Sequence, residues 1–395
     1  MAIGGIWFED PLGFLLGDDK ARTFLSSTYE RDALVVEAED RSRFDGLISI
    51  DAVDAIVTGT DLKRGDLLLA DASRENGVAE DRYIDDNGYV DRGAVAMQYR
   101  AGATVILNQA QRMVPALGQL CQGLEYVFSS HIQTNLYLTP PHAKGFPTHF
   151  DNHDVFVIQA EGEKLWRLYD MPVEIPYRGE RFQSSIHGKG ELRQEFVLRR
   201  GDCAYVPRGL MHDAETSGDE ASLHITVGLI SRTWADLILE AVSEVAVRRP
   251  EFRRSLPAGF ALPGFDRTAA LETLKELGQI LAGEMRLDPA MDLLVDNFIK
   301  TRPAQNRAAI SEGYRQIGAT DRFVRAPLVP VRRARDGDRI AMMVPGDEIF
   351  FTLDCAQALD VAFSATPFTL TDLGFEHAEP LVRRLLSYGL ICRAA

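Results

Sequence analysis

The stretch that decides the fold runs from Thr139 to Tyr169. It reads TPPHAKGFPTHFD and, after two further residues, DVFVIQAEGEKLWRLY. Its second part consists of two apolar runs, Val155–Ala160 and Lys164–Tyr169, joined by the turn Glu161-Gly-Glu163. Short apolar runs bounded by such turns predict β-hairpins. Working outward, similar short strands are predicted at Ala103–Leu107, Thr134–Leu138, Glu195–Leu198, Cys203–Val206 and Ser222–Leu229.

So many short strands with hairpin-length gaps predict a β-barrel or a double-sheet jelly roll, with its core at about 100–231. The first hundred residues read as mixed, with helices at Asp19–Ser27 and Ser49–Val57 and a strand at Ala33–Glu37. We therefore expect an α+β fold whose first domain covers residues 1–231.

After this domain the sequence pattern becomes helical. Residues 232–304 contain apolar positions at helical spacing, with predicted helices at Trp234–Val247, Thr268–Ala282 and Pro289–Ile299. Residues 305–395 mix short helices with a small β-wing, which is typical of a winged-helix module. The predicted elements there are strands at Asp338–Val344, Glu348–Phe351 and Gly389–Arg393 and a helix at Ala378–Leu386.

Composition limits the function classes. The 395 residues carry 43 Lys+Arg and 58 Asp+Glu, a formal charge of −15, which disfavours broad nucleic-acid binding. Residues 306–395 are net neutral, so we expect no DNA binding from the winged-helix module, and we interpret Arg332–Arg335 as a solvated loop.

The four cysteines lie far apart, which predicts no disulfide and no cysteine zinc site. With no signal peptide or membrane span in the sequence, we expect a cytoplasmic protein.

One motif carries chemistry. His149 and Asp151 are two residues apart, so on an extended chain their side chains project from one face and can share an ion. A third ligand, His212, follows the turn Pro207-Arg-Gly209 and would complete a two-His-one-carboxylate set of the kind that binds Fe(II). A bare His-x-Asp pair is expected by chance in such a chain. The ordered strand pattern around it is what favours a metal site.

These stretches resemble the JmjC-type (cupin-like) 2-oxoglutarate oxygenases, and among them the ribosomal oxygenases, which hydroxylate arginine or histidine in ribosomal proteins. The resemblance extends to Phe44–Asp51, Gly201–Pro207 and Ser222–Val227 and, more loosely, through the helical and winged-helix regions. It implies a double-stranded β-helix core, a helical dimerisation domain at 232–304 and hence a homodimer.

The resemblance also implies roles for individual residues. His149, Asp151 and His212 would hold Fe(II), and Lys164 would pair with the distal carboxylate of 2-oxoglutarate, dioxygen being the other co-substrate. Residues at three further positions near the co-substrate are implied as well: Asn135, Tyr137 and Thr226. His224 shares a strand face with Thr226, and we expect it to support the site without binding iron. Trp166 and Tyr169 are interpreted as barrel packing.

Three functions remain open on sequence. The first is hydroxylation of a side chain in a basic protein, a ribosomal protein before others, or in a small peptide or peptide precursor of a biosynthetic pathway. Demethylation would use the same iron. The second is a cupin-like binding protein that does no oxidation, against which stands the intact triad with Lys164. The third is a regulator built on the winged helix, disfavoured by its neutral charge.

Overall fold

The computed structural model describes residues 6–74, 77–304 and 309–394. The chain has a mixed α/β fold and divides into two compact units, Met1–Ser231 and Arg232–Ala395. Among the described residues, no helix combines the length and the apolar character needed to cross a membrane.

The first unit contains six α-helices and ten strands within its described residues. The helices are α1 (Ile6–Glu9), α2 (Pro11–Leu16), α3 (Asp18–Ser27), α4 (Ile50–Gly59), α5 (Arg92–Arg100) and α6 (Pro115–Phe128). The strands are β1 (Leu34–Val36), β2 (Leu67–Ala70), β3 (Thr104–Leu107), β4 (His131–Thr139), β5 (Asp154–Glu161), β6 (Glu163–Leu168), β7 (Gln194–Arg199), β8 (Cys203–Val206), β9 (His212–Glu215) and β10 (Ser222–Ile230).

Two antiparallel sheets form the core of this unit. The larger has seven strands in the order β1-β8-β5-β10-β4-β3-β2, and the smaller has three in the order β7-β6-β9. Val155 and Val157 of β5 pack against Trp166 and Leu168 of β6 in one buried cluster, so the two sheets face each other. The expected double-sheet core is therefore present, and its interior lies between β5 and β6.

The opposite face of the large sheet is covered by the N-terminal helices. Phe156, which alternates with the inward-facing valines of β5, lies 5.5 Å from the ring of Phe24 on α3. Helix α4 is capped by Ser49, whose hydroxyl accepts the backbone N–H of Ala52 at 3.2 Å. The seven-stranded sheet is thus buried on both faces, which explains why every residue of β5 except Glu161 is buried.

The second unit begins with three long helices and ends with a smaller mixed core. Its helices are α7 (Trp234–Arg248), α8 (Thr268–Glu284), α9 (Leu287–Lys300), α10 (Ala309–Gly313), α11 (Ala356–Ala362) and α12 (Ala378–Ser387). Its strands are β11 (Phe323–Arg325), β12 (Arg332–Asp336), β13 (Arg339–Val344), β14 (Asp347–Thr352) and β15 (Ile391–Arg393). Strands β12, β13 and β14 form an antiparallel meander.

Several sequence predictions need correction. Arg332–Arg335 is strand β12 and not a loop, and its arginines are paired: Arg332 with Asp292 and Asp296, and Arg333 with Asp360. These partners are distant in sequence, so local pattern could not indicate them. Helices α5 and α6 were also missed. All four cysteines are free, as expected.

Candidate metal centre

Backbone pairing brings the three predicted ligands together. His149 and His212 form an isolated antiparallel bridge, in which the His149 N–H donates to the His212 carbonyl at 3.0 Å and the His212 N–H donates back at 2.7 Å. Directly opposite residues of an antiparallel pair project from the same face. The N–H of Gly209 donates to the carbonyl of Asp151 at 2.9 Å, which fixes the third ligand beside them.

The ligand atoms converge on one point. One atom each from His149, Asp151 and His212 lies within 4.8 Å of the others. The Nε2 atoms of His149 and His212 lie 4.0 Å and 3.8 Å from the Asp151 carboxylate oxygens. Each Nδ1 lies 2.9 Å from a backbone carbonyl, that of Pro147 or of Leu210. This contact places the ring proton on Nδ1 and leaves both Nε2 lone pairs for a cation.

The protonation states also suit a metal. Burial and, to a smaller extent, the neighbouring His149 lower the pKa of His212 to about 4, so its imidazole is neutral at pH 7. Burial by itself would raise the pKa of Asp151, but His153, His212 and His149 hold it below its usual value. Two imidazoles and one carboxylate are a donor set that fits Fe(II) and leaves further coordination positions open.

Lys164 lines the same pocket as the three ligands. Leu168 pairs with His212, and Lys164 lies four residues earlier on β6, about 13 Å away along the strand. Its side chain is buried, and Nζ donates to the Thr139 hydroxyl at 2.9 Å. Burial lowers the pKa of Lys164 to about 7. No carboxylate pairs with this ammonium among the described residues, so the pocket suits an anionic ligand.

The remaining predicted site residues separate into two groups. Tyr137 and Thr226 line the pocket, and Tyr137 stacks on His224 with ring centroids 4.6 Å apart. Asn135 does not line the described pocket; its side-chain oxygen instead accepts the Gln109 N–H at 3.0 Å. His224 is buried beside Lys164, and burial holds its pKa well below the usual value.

Sequence reasoning missed several members of the pocket wall. Trp166, interpreted as packing, lines the pocket, and its ring lies 5.9 Å from that of His212. Thr104 donates to Thr139 at 3.1 Å and so supports the lysine's partner. Thr139 could have been found, because it follows Asn135 and Tyr137 at alternate positions of β4.

With the geometry defined, comparison with known proteins identifies the class. Residues 106–237 match the family model described as the JmjC domain, and this segment carries all three ligands and Lys164. Residues 106–237 of this chain are therefore a JmjC domain.

The whole-chain comparison shows similarity to ribosomal oxygenases. It is 36% identical over 246 residues to ribosomal oxygenase 1 of Bos taurus, covering 60% of this chain and 36% of the relative. It is 30% identical over 306 residues to the bifunctional lysine-specific demethylase and histidyl-hydroxylase NO66 of Drosophila mojavensis, covering 73% and 34%. The chain thus spans about a third of the length of these two relatives.

Solved structures share the fold over nearly the whole chain. Escherichia coli YcfD superposes with a TM-score of 0.54 at 15% identity, covering 94% of this chain and 98% of YcfD. The complex of YcfD, a ribosomal oxygenase, with cobalt and 2-oxoglutarate gives a TM-score of 0.52 at 16% identity, covering 96% and 99%.

Proposed function

We propose that this protein is an Fe(II)- and 2-oxoglutarate-dependent oxygenase that hydroxylates an arginine or histidine side chain of a ribosomal protein. The observation that carries the proposal is the His149–Asp151–His212 cluster, which shares one pocket with a buried lysine that has no acidic partner among the described residues. Such an enzyme would act on the ribosome in the cytoplasm, and the chain's charge of −15 complements a basic substrate.

Each residue has a defined task in this proposal. His149, Asp151 and His212 hold the metal, and the Nδ1 contacts to Pro147 and Leu210 keep both rings turned toward it. Lys164 anchors the far carboxylate of 2-oxoglutarate. Bound Fe(II), with dioxygen and 2-oxoglutarate, supplies the chemistry that inserts one oxygen atom into a C–H bond and releases succinate and CO2. The protein positions that C–H bond and keeps bulk water away.

The second unit supports two further proposals. Helix α8 contains no buried residue among those described, and Leu271 and Leu274 are exposed on it. Such an apolar surface favours residues 232–304 as the dimerisation domain of a homodimer. We also propose that residues 305–395 form a winged-helix module, which the β12–β14 meander beside α11 and α12 favours. The boundary of this domain at 305 lies outside the described residues.

The direct test is anaerobic binding of Fe(II) and 2-oxoglutarate, followed by succinate release in air. Wild type should bind both, and His149→Ala should bind Fe(II) far more weakly and release no succinate. His142→Ala is the matched control, because His142 lies in the same loop but is exposed and paired with Asp219. A wild-type protein that binds neither Fe(II) nor 2-oxoglutarate would contradict the proposal and favour a binding protein.

A further inference from the structure

A second set of contacts lies directly beside the ligand histidines. Because His149 and His212 are opposite each other in an antiparallel bridge, the next pairs in register are Thr148 with Asp213 and Phe150 with Met211. The Thr148 hydroxyl donates to the Asp213 carboxylate at 2.6 Å. Phe150 and Met211 are buried together with Tyr169. Each ligand histidine therefore has one polar and one apolar cross-strand neighbour.

Asp213 collects donors from two segments, the loop before His149 and the end of β6. Besides Thr148, its carboxylate accepts the Tyr169 hydroxyl at 3.0 Å and Lys144 Nζ at 3.0 Å, and Arg167 lies 3.5 Å away. The Asp213 side chain is 2% exposed. A buried carboxylate with this many donors fixes the segments that carry them.

This carboxylate adds side-chain contacts to the few backbone hydrogen bonds that hold the ligand loop. The bridge between His149 and His212 is isolated on the side of the ligand loop, and further backbone hydrogen bonds between the two segments are those from Gly209 to Asp151 and from Thr216 to Ala143. Lys144 and Thr148 belong to the loop that leads into His149, and Asp213 directly follows His212 on β9. The carboxylate therefore joins the two chain segments on which the metal ligands stand.

We propose that Asp213 is a positioning residue for the metal centre, whose contacts with Thr148 and Lys144 set the separation and orientation of His149 and His212. This inference rests on the proposed function, because it concerns the same metal site. Asp213 lines the pocket but is not one of the three ligands, and its effect passes through the backbone of its neighbours. Outer partners of metal ligands typically change metal affinity by about 10–100-fold when they are removed.

The test is Co(II) binding to the full chain, measured by equilibrium dialysis and by the visible absorption of the bound ion. Asp213→Asn should weaken Co(II) binding by about tenfold or more and change the absorption spectrum at saturating Co(II). A purely structural role would lower the unfolding temperature and leave the spectrum of the bound ion as it is in wild type.

Two more variants make the test specific. Thr148→Val removes the contact beside His149 without changing charge, and it should weaken Co(II) binding in the same direction, which keeps the inference testable if Asp213→Asn does not fold. Glu195→Gln is the matched control, because Glu195 also pairs with Arg167, at 2.8 Å, but does not contact the ligand loop. Its Co(II) affinity and spectrum should equal those of wild type.

The outcomes separate the two proposals. If wild type binds no Co(II), the metal site itself is refuted, and this inference with it. If wild type binds Co(II) and the folded variants at 213 and 148 bind it equally well with the same spectrum, only the role of Asp213 is refuted.

Discussion

His149 and His212 exchange both of their backbone hydrogen bonds, at 3.0 Å and 2.7 Å, although 63 positions separate them in the sequence. The pairing puts two imidazoles on one face, and the Gly209 N–H fixes Asp151 next to them. The metal centre is therefore formed where two distant loops meet, and its integrity depends on the close approach of their backbones.

Gly209, whose N–H donates to Asp151, has no room for a side chain. Its φ is +88°, and a Cβ there would lie 2.1 Å from the Val173 carbonyl oxygen. We expect Gly209→Ala to destabilise the fold by about 1–3 kcal/mol and to weaken metal binding, because the Gly209 N–H must shift away from Asp151. Denaturant unfolding and metal titration measure the two effects.

Gly179→Ala is the control for this substitution. Gly179 also has a positive φ, +78°, but a Cβ there would meet no atom within 4 Å. It should show backbone strain alone, with metal affinity unchanged. Equal metal affinity in the two variants would refute the role assigned to Gly209.

Lys164 should make co-substrate binding depend on pH. Burial lowers its pKa to about 7, so above pH 7 the empty pocket increasingly contains a neutral amine. A carboxylate needs the protonated form. Affinity for 2-oxoglutarate should therefore fall with rising pH, by about tenfold per unit well above the pKa, with a proton taken up on binding.

Calorimetry with Mn(II) in place of iron, in buffers of different ionisation enthalpy, measures both the affinity and the proton uptake. In Lys164→Arg the guanidinium stays charged, so this variant should lose the pH dependence of affinity between pH 7 and 9. An affinity in wild type that is constant over that range would show that Lys164 is not the anchor.

A buried ion pair next to the metal loop should dominate local stability. Asp154 is fully buried, accepts the Tyr205 hydroxyl at 2.7 Å and pairs with Arg208, which also contacts Glu30 at 2.6 Å. Asp154→Ala leaves a buried guanidinium short of its main partner and should cost about 3–5 kcal/mol in the free energy of unfolding.

The comparison is with an exposed pair of the same type. Asp45 pairs with Arg200, and both side chains are nearly half exposed. Asp45→Ala should therefore cost less than about 1 kcal/mol. Urea unfolding measures the free energy of unfolding of both variants. Equal losses would mean that burial gives the Asp154 pair no larger effect on stability than an exposed pair has.

The proposed homodimer makes a prediction about mass. Wild type should sediment at twice the chain mass of 43.9 kDa. Leu274→Glu places a charge on the exposed face of α8, where Leu274 is 66% exposed, and should shift the protein toward monomer. Leu25→Glu, at a leucine of the first unit that is 50% exposed, should not. A wild-type mass of a single chain would refute the dimer.

The sequence predicted strands more successfully than contacts. Strand β8 was predicted with its observed bounds, because the turns on both sides of its apolar run indicate where the strand begins and ends. The three predicted ligands do converge in the structure. A His-x-Asp pair places two ligands on one face, and this restricts the positions from which a third residue can reach the same ion. Trp166 packs in the cluster between the sheets, as interpreted, and it also lines the pocket, which its position on a strand does not indicate. Strand β12 was missed because Arg332 and Arg333 are paired with carboxylates on α9 and α11, which local spacing does not show.

The position of β10 gives the two ends of the pocket different dynamics. This strand pairs with β4 along nine residues and with β5 on its other side, so the backbone under His224 and Thr226 is hydrogen-bonded from both edges. His149 is paired through one isolated bridge to His212, which itself lies on β9. Amide hydrogens of β10 should exchange only on global opening, whereas those of His149 and His212 should exchange through local opening. The part of the pocket around Lys164 is thus rigid before a ligand binds, whereas the part that carries the metal ligands becomes rigid when the ion binds.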